Sequence, residues 1–183
     1  CAALTQAILE TKDVEELFAT AFRAHRILQQ GRGSGADVAT SCLGGILGYQ
    51  LTHPQAPFGA LETKDMPAQF HIQDARVQRL SPWPCRLRLE PIWLGTPASS
   101  RHRIRRVEAA WAASTTSVQE CFLEIHDVTV SALDALTKQN EEGLLEAFER
   151  GDQAMQVLGD ATGAPIVTDL HRRLRDHAGS FEV

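Results

Sequence analysis

The segment Gly31 to Asp37 (Gly-Arg-Gly-Ser-Gly-Ala-Asp) places one carboxylate at the end of a turn that is poor in side chains. Its three glycines allow backbone angles and close ligand approach that residues with a Cβ resist. The following residues, Val38 to Gly45, are typical of a short helix that ends at glycine. The pattern therefore predicts Asp37 at or near a helix N-terminus, where amide hydrogens favour bound anions such as phosphate.

Two roles for Asp37 follow from this position. As an N-cap, its carboxylate would accept the free amide hydrogens of the first helical turn. As a catalytic group, it would take or orient a proton from a substrate hydroxyl, which requires a fixed position within hydrogen-bond reach of that hydroxyl. The two roles are compatible, and spacing alone does not separate them.

A second charged feature is a run of basic residues at the start of a predicted helix. Amide hydrogens and cations could hold a phosphate there. On a helix, however, these side chains point in different directions, so a solvated basic face is the favoured interpretation. The basic residues are Arg101, His102, Arg103, Arg105 and Arg106, and the hydroxyl residues Thr96, Ser99 and Ser100 precede them at the helix start.

The remaining reactive residues give no metal signature. No two of the seven histidines form an H-x-x-x-H pair, and the four cysteines are far apart. We interpret the histidines, His25 among them, as surface or boundary residues. Trp83, Trp93 and Trp111 are interpreted as core anchors.

Hydrophobic periodicity and capping residues predict the elements that must position Asp37. Asp13 and Glu16 predict a helix start, with apolar residues from Val14 to Leu28 at helical spacing. Residues 1–10 are predicted to be the end of an earlier helix. Strands are predicted at 46–51, 69–72, 75–80 and 87–94. Helices are predicted from residue 99, with three apolar stripes and a last helix through His177. The third stripe comprises Leu144, Leu145, Phe148, Met155 and Leu158.

Bulk composition is that of an ordinary globular protein, 43% hydrophobic and 22% charged. A net charge of -5 gives no general reason to expect nucleic acid or an anionic membrane as partner. No apolar run approaches the length needed to cross a bilayer. Unpaired cysteines and the lack of a signal peptide indicate a cytoplasmic setting.

Three segments together resemble the GHMP kinases, and most closely their phosphomevalonate kinase branch. The first is Gly33 to Ala39 with Gly44 and Gly45 downstream. The second is Leu80 to Pro84 followed by Ile92 to Arg101. The third is Gly163 to Thr168. Their order and spacing fit one family across most of the chain.

The resemblance implies an α+β fold with a partial N-terminal kinase domain at 1–80 and a helix-rich C-terminal domain at 81–183. It implies transfer of the ATP γ-phosphoryl group to phosphomevalonate, with Mg²⁺. Asp37 matches the catalytic aspartate, and Ser34 and Gly35 match substrate-binding positions. The implied partners are ATP and a small-molecule substrate, without nucleic acid or membrane; homo-oligomerisation is left open.

The chain also departs from the family pattern. Both glycine-rich ATP loops and the segment with the usual catalytic lysine and magnesium ligands are missing. We therefore expect a central fragment that is inactive as given. The alternatives are another GHMP kinase, with mevalonate, a sugar or an amino-acid alcohol as acceptor, and a non-catalytic relative that binds a small molecule.

Overall fold

The computed structural model describes residues 13–29, 34–51, 70–72, 75–80, 82–84, 86–93, 100–113 and 116–178. The chain divides into two compact units, Cys1–Trp83 and Pro84–Val183. The sequence places a boundary after residue 80, and the assignment of the two parts to kinase domains stays a prediction. The helix end predicted at residues 1–10 lies outside the described residues.

The first unit begins with helix α1, Val14–Leu28. The Asp13 carboxylate accepts hydrogen bonds from the amides of Glu15 and Glu16, at 2.9 and 3.3 Å, so the predicted helix start is confirmed. One face of α1 is buried, through Leu17, Phe18, Ala21 and Phe22. Leu28 was expected on this face, but it is 70% exposed because it lies beyond the packed part of the helix.

Helix α2, Ala36–Leu43, follows α1 after a short connection. Three antiparallel strands complete the unit: β1 (Leu47–Leu51), β2 (Phe70–Ile72) and β3 (Ala75–Arg79), in the spatial order β1-β3-β2. Tyr49 of β1 and Phe70 of β2 both pair with Val77 of β3.

One apolar core joins α1, α2 and the sheet. Its buried members are Phe18, Ala21, Phe22, Val38, Ala39, Leu43 and Val77. The Arg79 guanidinium donates a hydrogen bond to the Leu43 carbonyl at 2.5 Å, which joins β3 to the last turn of α2. The three strands of this unit agree with those predicted from the sequence.

The second unit is helical: α3 (Ser100–Ala112), α4 (Thr116–Lys138), α5 (Glu141–Thr162) and α6 (Asp169–Ala178). Helices α4 and α5 form a hairpin, since only Gln139 and Asn140 separate them. Val118, Cys121 and Leu158 form its buried core cluster. The rings of Trp111 and Phe122 meet edge to face, 5.3 Å apart, at the margin of that cluster. The described part of the chain is mostly helical with a small antiparallel sheet, which confirms the α+β class.

The strand predicted at 87–94 is wrong for its described residues, because 87–93 have no regular structure. Alternation stabilises a strand only where a neighbouring strand supplies hydrogen bonds, and Pro91 has no amide hydrogen to donate. Trp93, predicted as a core anchor, is 75% exposed. Trp111 does pack at a core, and Trp83 is half-buried.

The third predicted stripe is partly wrong. Leu145, Phe148 and Met155 of α5 are exposed, whereas Ala147 and Ala154 are buried. Small side chains let two helices approach closely, so alanines occupy the packing face and the larger residues lie to its side. Within the described residues, no helix is long and apolar enough to span a membrane.

Candidate active site

The turn before α2 requires glycine at position 35. Gly35 has φ +80° and ψ 5°, in the left-handed region that favours glycine. A Cβ built on Gly35 would lie 2.2 Å from a ring carbon of Phe22. The backbone of this turn therefore lies directly on the Phe22 ring, and no other residue type fits without displacing it.

Ser34 is held on the other side of the turn. The Tyr49 hydroxyl, from β1, donates a hydrogen bond to the Ser34 carbonyl. The Ser34 hydroxyl lies 3.4 Å from the amide of Ala36 and is exposed. Helix α1 and strand β1 thus fix the turn from two sides. The preceding residues Gly31 to Gly33 lie outside the described part, and the substrate-binding roles of Ser34 and Gly35 stay predictions.

Asp37 lies in the first turn of α2, and its side chain is 73% exposed. The next two residues, Val38 and Ala39, are buried and anchor the helix. The N-cap interpretation of Asp37 is wrong, because Gly35 is the N-cap and α2 has no side-chain cap. Its carboxylate is thus left accessible at the positive end of the helix dipole, where a negative charge is stabilised.

His25 contacts Asp37, which the sequence interpretation missed. Its Nε2 lies 3.9 Å from Asp37 Oδ1, and its side chain is only 14% exposed. The signal was present in the connection length: a short link between α1 and α2 brings the last turn of the first helix beside the first turn of the second. His25 lies in that last turn.

One member of the basic run on α3 has a structural partner. The Arg106 guanidinium donates a hydrogen bond to the carbonyl of Gly163, the residue that ends α5. His102 and Arg105 are exposed. Thr96, Ser99 and the side chains of Ser100 and Arg101 lie outside the described part of the chain. The structure therefore gives one of these cations, Arg106, a capping role.

A groove of about 550 Å³ lies between α4 and α5. One ion pair crosses the groove: Arg150 Nη2 and Nε lie 2.7 and 3.2 Å from Glu124 Oε1. That hydrogen bond and the Glu124 charge raise the pKa of Arg150. Arg150 and Glu124 are therefore engaged with each other, and we assign no ligand to this groove.

The described residues contain no preformed cluster of metal ligands. They contain no group of three His, Cys, Asp or Glu side chains placed to hold a metal ion. We therefore assign no step to a metal within the described residues.

Comparisons with known proteins give one informative match. No protein-family model matches the chain. No solved structure matches it at a significant level. The chain is 31% identical over 155 residues to a phosphomevalonate kinase from Streptomyces sp. (strain CL190). The match covers 80% of this chain and 40% of that kinase, so the chain spans about 40% of its relative's length.

This similarity agrees with the three segments that resemble the GHMP kinases. It supports a relationship of this chain to a phosphomevalonate kinase, and the activity in that name belongs to the relative. At 31% identity, the name of the relative does not establish the function of this chain. The functional argument therefore depends on the residues around Asp37.

Proposed function

We propose that this chain is part of an ATP-dependent small-molecule kinase of the GHMP type, with phosphomevalonate as acceptor. One observation carries the proposal: Asp37 presents an exposed carboxylate from a turn that Phe22 and Tyr49 fix in place. Phosphoryl transfer asks a protein mainly for positioning and charge stabilisation, and a carboxylate carried by a fixed turn would supply the first. The similarity to a phosphomevalonate kinase supports this choice of chemistry.

In the proposed reaction, the acceptor oxygen attacks the γ-phosphorus of ATP. A new O–P bond forms while the bond to the β-phosphate oxygen breaks, and ADP leaves. A hydroxyl acceptor would give its proton to Asp37 as the bond forms. A phosphate acceptor has a second pKa of about 6, so its monoanion still carries a proton that it can donate to Asp37 as the bond forms.

The wider features of the proposal come from the resemblance. ATP, as its Mg²⁺ complex, is the proposed phosphoryl donor, and its main binding loops lie outside this chain. The two-domain GHMP architecture, with parts at 1–80 and 81–183, belongs to the proposal. So do substrate contacts by Ser34 and Gly35, a cytoplasmic location, and the absence of nucleic-acid or membrane partners.

Replacing Asp37 by asparagine in the full-length protein tests the proposal. We expect turnover to fall by about 100-fold or more, because the amide cannot accept the acceptor's proton. The free energy of unfolding should change by less than about 1 kcal/mol, because the side chain is exposed. Coupled ADP-release kinetics and urea unfolding measure the two quantities.

Asp160→Asn is the matched control, since Asp160 is an exposed aspartate on α5. Its turnover should equal that of the wild type. Near-normal turnover of Asp37→Asn would refute the catalytic role. Assays of the wild type with phosphomevalonate, mevalonate and galactose identify the acceptor, and no ADP release with any of them would favour a non-catalytic binding protein.

A further inference from the structure

We propose that His25 is a positioning residue that orients the Asp37 carboxylate, an inference that rests on the proposed kinase function. His25 Nε2 lies 3.9 Å from Asp37 Oδ1. This separation is too long for a direct hydrogen bond, but it is within the range of an ion pair with a protonated imidazole. A small rotation of the exposed carboxylate would shorten it to a hydrogen bond.

The two partners differ in how firmly they are held. The His25 side chain is 14% exposed, whereas that of Asp37 is 73% exposed. His25 follows Phe22 by one helical turn, and the Phe22 ring is buried under Gly35. The imidazole is therefore the fixed partner, and the carboxylate is the one whose orientation a contact can select.

A carboxylate has two oxygens, and the contact with His25 uses one of them. The other oxygen is then directed to the acceptor. The imidazole ring restricts rotation of the carboxylate, which would otherwise move this oxygen out of its reacting position. A protonated ring also offsets the negative charge of Asp37. This matters for an acceptor that already carries a phosphate, because an uncompensated carboxylate repels such an anion.

The test uses His25→Ala and Asp37→Asn, singly and together, in the full-length protein. We expect His25→Ala to lower kcat by about 10-fold or more with little change in KM for ATP. In the Asp37→Asn background, His25→Ala should cause no further loss, because its effect passes through the carboxylate. His25→Gln, which retains a donor at the ε position, should recover part of kcat. His126→Ala, a half-buried histidine on α4, is the control.

A second readout does not depend on activity. In protein labelled with ¹⁵N-histidine, the ring signals of His25 should shift in Asp37→Asn and stay in place in Glu15→Gln, which removes an exposed carboxylate from α1. The inference would be overturned if the kcat losses of the two single variants multiply in the double variant. It would also be overturned if the His25 ring signals do not move in Asp37→Asn. If Asp37→Asn abolishes turnover and His25→Ala does not affect it, the positioning role fails while the proposed function stands. If the wild type transfers no phosphoryl group, both fail.

Discussion

Gly35 is the residue on which the geometry of the candidate site depends. It meets two separate requirements: a left-handed backbone conformation and the absence of any atom beyond Cα on the side that faces Phe22. Gly163 meets the first requirement alone. It has φ +63° and ψ 14°, and a Cβ there would be 3.5 Å from Arg106 Nη1, an ordinary contact.

The difference between these glycines can be measured. We expect Gly35→Ala to destabilise its unit by about 2–4 kcal/mol, through strain of the left-handed backbone conformation and a clash in a packed core. Gly163→Ala should cost its unit only about 1 kcal/mol. Native-state hydrogen exchange gives the local free energies. Equal costs would show that the Phe22 contact does not require glycine.

Asp37 and His25 differ in how far sequence reasoning reached them. A lone aspartate after a glycine-rich turn is a local pattern, so Asp37 was identified with its helix. The contact with His25 joins residues on two helices and depends on their packing. The short link between α1 and α2 predicts that the two helix ends lie close together, but it does not predict which side chains meet. His25 is therefore interpreted from the sequence only as a surface or boundary residue.

At the scale of elements, α5 shows how each end of a helix is stabilised. The Asn140 side chain accepts a hydrogen bond from the Gly143 amide at 3.1 Å and caps the start. The Arg106 guanidinium donates to the Gly163 carbonyl at the other end, where the helix dipole favours a cation. The basic run on α3 thus contributes to the second unit's helix packing.

Arg106→Ala should therefore loosen the end of α5. We expect a loss of about 0.5–1 kcal/mol, because an acceptor at a helix C-terminus loses a charged donor. Arg105→Ala, which removes an exposed neighbour on the same helix, should be close to neutral. Exchange rates of the amides in the last turn of α5 measure both. Equal rates in the two variants would contradict the capping role.

Elements with strong local signals were predicted well. A capping aspartate defined the start of α1, and a glycine defined the end of α2. The failures were the strand at 87–94 and the large residues assigned to the buried face of α5. In each case a neighbouring element decides the outcome: a strand needs a hydrogen-bonding neighbour, and a close helix pair selects alanine.

At the scale of the whole molecule, each unit has its own core, and a cysteine lies in or beside each core. Cys42 packs against the core of the first unit, and Cys121 belongs to that of the second. Burial raises the pKa of both thiols, and the Glu120 charge adds to the effect at Cys121. Because the thiolate is the nucleophile, both should react slowly in the folded protein.

The two thiols can report on the two cores separately. We expect Gly35→Ala to increase the alkylation rate of Cys42 by iodoacetamide and to leave that of Cys121 unchanged. Leu158→Ala, which opens a cavity in the second core, should increase the alkylation rate of Cys121 and leave that of Cys42 unchanged. Pulse labelling followed by peptide mass spectrometry assigns each rate. A parallel rise of both rates in either variant would show that the cores unfold together.

The contact between Phe22 and Gly35 also constrains how this sequence can change over evolution. The ring fills the space that a side chain at position 35 would need. Related proteins with alanine or a larger residue at the equivalent of position 35 should therefore have a smaller residue at the equivalent of position 22. A larger residue at position 35 alone would displace the start of α2, and a smaller residue at position 22 alone would leave a cavity beneath it. The two positions should therefore covary wherever the carboxylate at position 37 is retained.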